Sequence, residues 1–175
     1  MHETVKQSYL CVEELRLTLL DLIMTEQQEG RLPEHLDCLP RAEAHVEGGV
    51  VRLVLGDYLP VISDVRSPKM RLHWTTLVAQ AVGTLSTVPR FTRAFCVIVP
   101  YRPRPRWDPD NVVYKYILDG VRYTLLCGDD THQNMLFAVI GAVDRENPRT
   151  EVYIAEAPAD VCQNLTKRIH AFLGQ

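Results

Sequence analysis

The sequence predicts an α+β / α/β fold: a mixed β-sheet flanked by helices, preceded by an N-terminal helical extension. Three observations carry this. Apolar residues recur at helical spacing in some segments and cluster as short β-branched and aromatic runs in others. After residue 50 the two kinds follow one another as strand, helix, strand, helix, strand, strand, helix, an order that lays helices on a sheet. The chain has 175 residues and is 46% apolar, the size and composition of one domain with a real core.

The elements follow in order. Thr4–Gln28 is helical by its spacing of Val5, Tyr9, Val12, Leu15, Leu19, Leu22 and Ile23. Gly30 and Pro33 end it, and residues 30–48, with Pro33, Pro40, Gly48 and Gly49, read as a linker. The expected division is thus an extension and linker over residues 1–48 and a domain over 49–175. Val50–Leu55 is a strand, closed by the turn Gly56-Asp57. Met70–Leu85 is a second helix, with Leu72, Leu77, Val78, Ala81 and Leu85 apolar. Phe91–Val99 reads as a central strand, and Pro100–Pro105 as a stiff loop because proline fixes φ. Pro109–Leu126 is a third helix. Met135–Val143 and Thr150–Ala155 form a hairpin around Asp144–Arg149, and Ala159–Leu173 is a final amphipathic helix.

Composition excludes several classes. No apolar run reaches the roughly 18 residues of a membrane span. The first residues contain acids and lack the basic start of a secretory signal. Five cysteines (Cys11, Cys38, Cys96, Cys127, Cys162) without CxxC spacing predict reduced thiols in a cytoplasmic protein, not a disulfide framework or zinc knuckle. There is no GxGxxG, no GxxxxGK[ST] and no GxSxG. The histidines lack metal-ligand spacing, and only His132, two residues after Asp130, sits near other candidates.

The net charge of −3 hides a segregation. Residues 1–50 hold ten acids and four bases, residues 51–107 two acids and nine bases, and residues 108–175 ten acids and six bases. Val65 to Trp107 contains no acid. Taken alone, such a run is a solvated face whose partner acids lie elsewhere in the fold. Leading into a carboxylate cluster, it suits a polyanion that must reach a metal, with Lys69, Arg71, Arg102, Arg104 and Arg106 as DNA contacts.

That cluster lies in WDPDNVVYKYILDGVRYTLLCGDD, from Trp107 to Asp130. Asp108, Asp110 and Asn111 open the third helix. Lys115 and Asp119 share one face, four residues apart, and Gly128-Asp129-Asp130 makes a turn before an apolar run. Carboxylates with waters and phosphate oxygens are what Mg²⁺ binds. Each residue also has a bland reading. Asp108 caps the helix, Asp110 favours its dipole, the Gly128 turn ends it, and Lys115–Asp119 is an exposed pair worth a few tenths of a kcal/mol.

The joint pattern D-x-D-N, Lys, Asp, then D-D resembles the RusA-type Holliday junction resolvases over roughly residues 50–156. The resemblance implies a RusA-like fold, Mg²⁺ (or Mn²⁺) held by Asp108, Asp110 and Asp130, and paired phosphodiester hydrolysis on branched DNA by a homodimer. Asn111 and Lys115 match further catalytic positions, Asp119 and Asp129 further motif positions. Metal would activate water and clamp the phosphate, and Lys115 would offset its charge. Here Lys follows Asn by four residues where the family has three, so the resemblance leaves two functions: a structure-selective endonuclease, or a catalytically impaired RusA-fold protein that binds DNA or docks a partner. Hydrolysis of a small phosphorylated metabolite is a weaker third, for want of a phosphate-cradling loop.

Overall fold

The computed structural model describes residues 3–32, 39–60, 67–129, 131 and 133–157. A long helix α1 (Glu3–Gln28) precedes a hairpin of β1 (Ala42–Glu47) and β2 (Val50–Leu55). Helix α2 (Pro68–Gly83), strand β3 (Ala94–Arg102), a 3₁₀ turn (Pro109–Asn111) and helix α3 (Lys115–Leu125) follow. Strands β4 (Met135–Val139), β5 (Ala142–Val143) and β6 (Arg149–Glu156) complete the described chain. The expected last helix, 159–173, lies outside the described residues, as do His132, Arg66, Cys38 and Cys162.

The mixed α+β class is observed. The sheet runs β1-β2-β6-β3-β4, with β5 also on β3. Along β1, β2, β6 and β3 each strand is antiparallel to its neighbour, while β3 pairs β4 and β5 in parallel. Alternation places Val51, Leu53 and Leu55 of β2, Val152 and Ile154 of β6, and Ala94, Cys96 and Ile98 of β3 in one core. Helix α2 covers that face with Met70, Trp74, Leu77, Val78 and Ala81, and α3 adds Ile117, Val121 and Leu125. Pro68 sits in the first turn of α2 after an extended Ser67, where a missing N–H costs nothing. At Gly120 the two helices come so close that a Cβ would meet the Val78 Cβ at 2.8 Å.

Three expectations are corrected here. The linker of residues 30–48 supplies β1, because Gly48 and Gly49, at φ 55° and 80°, build a two-residue hairpin turn between Glu47 and Val50. The segments 135–143 and 150–155 do not pair as a hairpin. β3 enters between them, antiparallel to β6 and parallel to β4. The helix expected over Pro109–Leu126 is broken: Val112 is extended at ψ 152°, and the helix begins only at Lys115.

Candidate functional site

The aspartate segment does not sit on one helix. Asp108 precedes the 3₁₀ turn in extended conformation and makes no side-chain cap bond. Asn111 is exposed in that turn. Lys115 opens α3, and its Nζ meets Asp119 Oδ1 at 2.8 Å, the i,i+4 pair that spacing requires. Asp119 is nonetheless buried, and its other oxygen takes Arg71 Nε at 3.1 Å, so two cations neutralise it. Asp129 is separately held by Arg122 Nη1 at 2.8 Å. Asp130 and the side chain of Asp110 lie outside what is described, so of the three expected Mg²⁺ ligands only Asp108 has a described side chain. Among the described residues no three His, Cys, Asp or Glu side chains group around a cation position.

The expected DNA contacts are scattered. Arg102 is buried, donates to the Leu59 carbonyl and lies beneath Tyr58 and Trp107, with ring centroids 5.2 and 5.4 Å from its Cζ. Burial depresses its pKa. Lys69 donates to Thr18 Oγ1 at 2.8 Å, Arg71 is engaged by Asp119, and Arg104 and Arg106 are exposed on the loop before the 3₁₀ turn. Trp107 is half-buried, packed where a Cβ on Gly141 would touch its ring at 3.0 Å. Of the cysteines, Cys11, Cys96 and Cys127 are free thiols, and burial pushes Cys96 up to about 12.

Comparison with known proteins returns no matching family model and no matching curated protein. Solved structures with some likeness include the periplasmic domain of MotB, at 12% identity and TM-score 0.39 over 86% of this chain and 89% of that one. The OmpA-like domain of FopA1 from Francisella tularensis matches at 10% and 0.33, over 71% and 87%. The periplasmic domain of Helicobacter pylori MotB matches at 15% and 0.36, over 74% and 94%. Such distant likenesses transfer neither activity nor location to this chain. The resolvase expectation is corrected: no family model or curated relative of that type matches, and the structures found are periplasmic and OmpA-like domains. The RusA assignment is withdrawn. With it go the endonuclease activity, the DNA-binding alternative, the branched-DNA partner with its homodimer, and the cytoplasmic placement.

A different site is present, between α1 and α2. A groove of about 420 Å³ opens there. Its α1 wall is Leu17, Leu20, Asp21 and Met24. Its α2 wall is Pro68, Lys69, Leu72, His73, Thr76, Leu77 and Gln80, and Leu39 with Pro40 closes one end. The lining is mainly aliphatic, with Lys69, Asp21, Thr76, Gln80 and His73 as its polar points.

A buried ion network fixes the walls. Asp57, 6% exposed, lies in the turn after β2. Its Oδ2 accepts Arg16 Nη1 of α1 and His73 Nε2 of α2, both at 2.9 Å, and its Oδ1 accepts the Tyr58 N–H. Arg16 also binds Glu13 at 2.6 Å. Burial disfavours the Asp57 anion, but the bond from His73 and the Arg16 charge outweigh it and hold the carboxyl below its ordinary range. Ser67, just before α2, donates to Glu14 of α1 at 2.7 Å. Both sides of the groove are therefore braced by polar contacts.

The groove leaves only a faint mark in the sequence. Its sequence signal is a second apolar series in α1, Leu10, Leu17 and Met24, one heptad apart.

Proposed function

We propose that this chain is a binding module that holds a small, mostly apolar molecule between α1 and α2. The groove carries this reading. Small-molecule sites are concave, largely preformed, mainly apolar with a few placed polar groups, roughly 300–1,000 Å³ in volume, and common between packed helices. At about 420 Å³ this groove falls inside that range. The Asp57 network supports preformation, since it ties both walls to the turn after β2 before any ligand arrives. The ligand class is an aliphatic or aromatic body with one hydrogen-bonding end facing Thr76 or Gln80.

Titration with the environment-sensitive fluorophore anilinonaphthalene sulfonate tests this. Thr76 is exposed on the groove wall, so Thr76→Trp fills the groove without entering the core. The expected result is saturable one-to-one binding to the native chain that falls at least about tenfold in Thr76→Trp, with circular dichroism unchanged. Equal binding to both proteins, or none to the native chain, refutes the reading.

A further inference from the structure

His73 meets the groove with one ring nitrogen already committed. It lines the α2 wall, and its side chain keeps 14% of its surface exposed. Nε2 lies 2.9 Å from Asp57 Oδ2, the oxygen that also accepts Arg16 Nη1. Asp57 is held as a carboxylate and has no proton to give, so the proton of this bond sits on Nε2. A partner on one ring nitrogen decides the role of the other. In the neutral ring Nδ1 is therefore a bare acceptor. Among the described residues Nδ1 has no hydrogen-bond partner. The sealed side-chain nitrogens and oxygens without a partner there are Arg102 Nε and Thr150 Oγ1 alone, so Nδ1 is open, and the groove is the space that His73 borders. The rest of the lining says what meets it. Lys69 stands one turn before His73 and Thr76 nearly one turn after, along the same face of α2. Lys69 Nζ faces Asp21 of α1 at 3.8 Å, so these two lining charges offset each other and select no ion.

We propose that His73 determines the specificity of the groove, and that its ligand is a neutral amphiphile whose polar end is a hydroxyl donating to Nδ1. This rests on the groove reading and names the ligand. A hydroxyl both donates and accepts, so it can serve Nδ1 and the Thr76 hydroxyl together. An ether of the same body sets one acceptor against another and leaves Nδ1 covered without a partner, the costly case for a polar atom. A proton added to the ring reverses this. Nδ1 then donates, and the ether serves as well as the alcohol. The charged groups that face the ring are Arg16 and Glu13 of α1 with Asp57 on the Nε2 side, and Lys69 with Asp21 along the groove. Their balance sets the pH at which the preference changes, and the ring makes the change.

The test is displacement of bound anilinonaphthalene sulfonate by naphthalen-2-ylmethanol and by its methyl ether, from pH 5 to pH 9. The ratio of the two competitors cancels any pH dependence of the dye itself, and the added methyl group is the same size at every pH. The alcohol is expected to compete at least about fivefold better at pH 9 and no more than about twofold better at pH 5. In His73→Leu the ratio is expected to lose its pH dependence. Nitrogen-15 spectra of the native imidazoles decide the matter if that variant does not fold. At pH 9 the His73 ring is expected to carry its proton on Nε2, and the alcohol alone is expected to move the Nδ1 signal. Three results overturn the proposal: equal competition at every pH, a preference that pH leaves unchanged, or a His73 ring protonated on Nδ1 at pH 9. Dye that binds while the two competitors stay equal removes this inference and leaves the groove reading standing. No binding of the dye removes both.

Discussion

Asp57 shows how a single residue holds this structure together. An isolated carboxylate in the interior costs several kcal/mol, and here the cost is offset by Arg16, His73 and the Tyr58 N–H. Its pKa is lowered on folding, so the stabilisation is fully present above the unfolded value, near 4, and is lost as pH falls through the lower folded value. Asp57→Asn should therefore lose roughly 2–3 kcal/mol at neutral pH, below the full value of a wholly buried pair because Arg16 is about one-third exposed. Urea denaturation at pH 7 and pH 3 checks this. The gap between native and variant protein should shrink at pH 3, and a gap independent of pH would show that Asp57 acts through packing instead. Glu151 follows the same logic on the opposite sheet face. Though 1% exposed, it accepts Arg52 at 2.9 Å, Arg149 at 2.7 Å and the Tyr153 hydroxyl at 2.5 Å. Burial opposes its ionisation, and these donors outweigh it.

Among the elements, α1 separates what spacing reveals from what it hides. Its helical character was legible from a series in which Val5, Val12, Leu15, Leu19 and Leu22 are exposed, so the spacing that marks the helix does not mark its buried side. A helix with two apolar stripes has no unique inward side until its partner is known. Substitution should separate the stripes: Leu17→Ala, at 2% exposed, should cost about 2–3 kcal/mol, and Leu15→Ala, at 59%, under about 0.5. Equal losses in chemical denaturation would mean that the helix packs the other way round. Strand β2 and helix α2 were legible because one residue in two, or three in seven, is apolar on a single buried face. Strand β1 was missed although Ala42, Ala44 and Val46 alternate with Glu43, His45 and Glu47, because Pro40 and the Gly-Gly turn that bracket it read as linker. The position of β3 between β6 and β4 has no local signal, since it depends on which edges meet after both connections are made.

Over the whole molecule, the acid-free run from Val65 to Trp107 meets its partners from elsewhere in the fold. Arg71 meets Asp119, Lys69 meets α1, Arg90 donates to the Thr124 and Leu126 carbonyls, Arg93 donates to the Gln133 carbonyl, and Arg102 is buried. Arg71 and Lys69 thus meet carboxylates, while Arg90, Arg93 and Arg102 donate to neutral carbonyls, so much of the run is engaged inside the fold rather than laid out as a track. The groove could not be placed from the sequence for a similar reason: the second apolar series of α1 marks one wall, but the cavity exists only where α1 lies across α2. Its role is tested most directly by two-dimensional amide NMR of the native chain during titration with anilinonaphthalene sulfonate. The account predicts saturable shifts concentrated at Leu20, Met24, Leu72, Thr76 and Gln80, while β3 and β6 stay still. Shifts that spread over the sheet, or that never saturate, would contradict it.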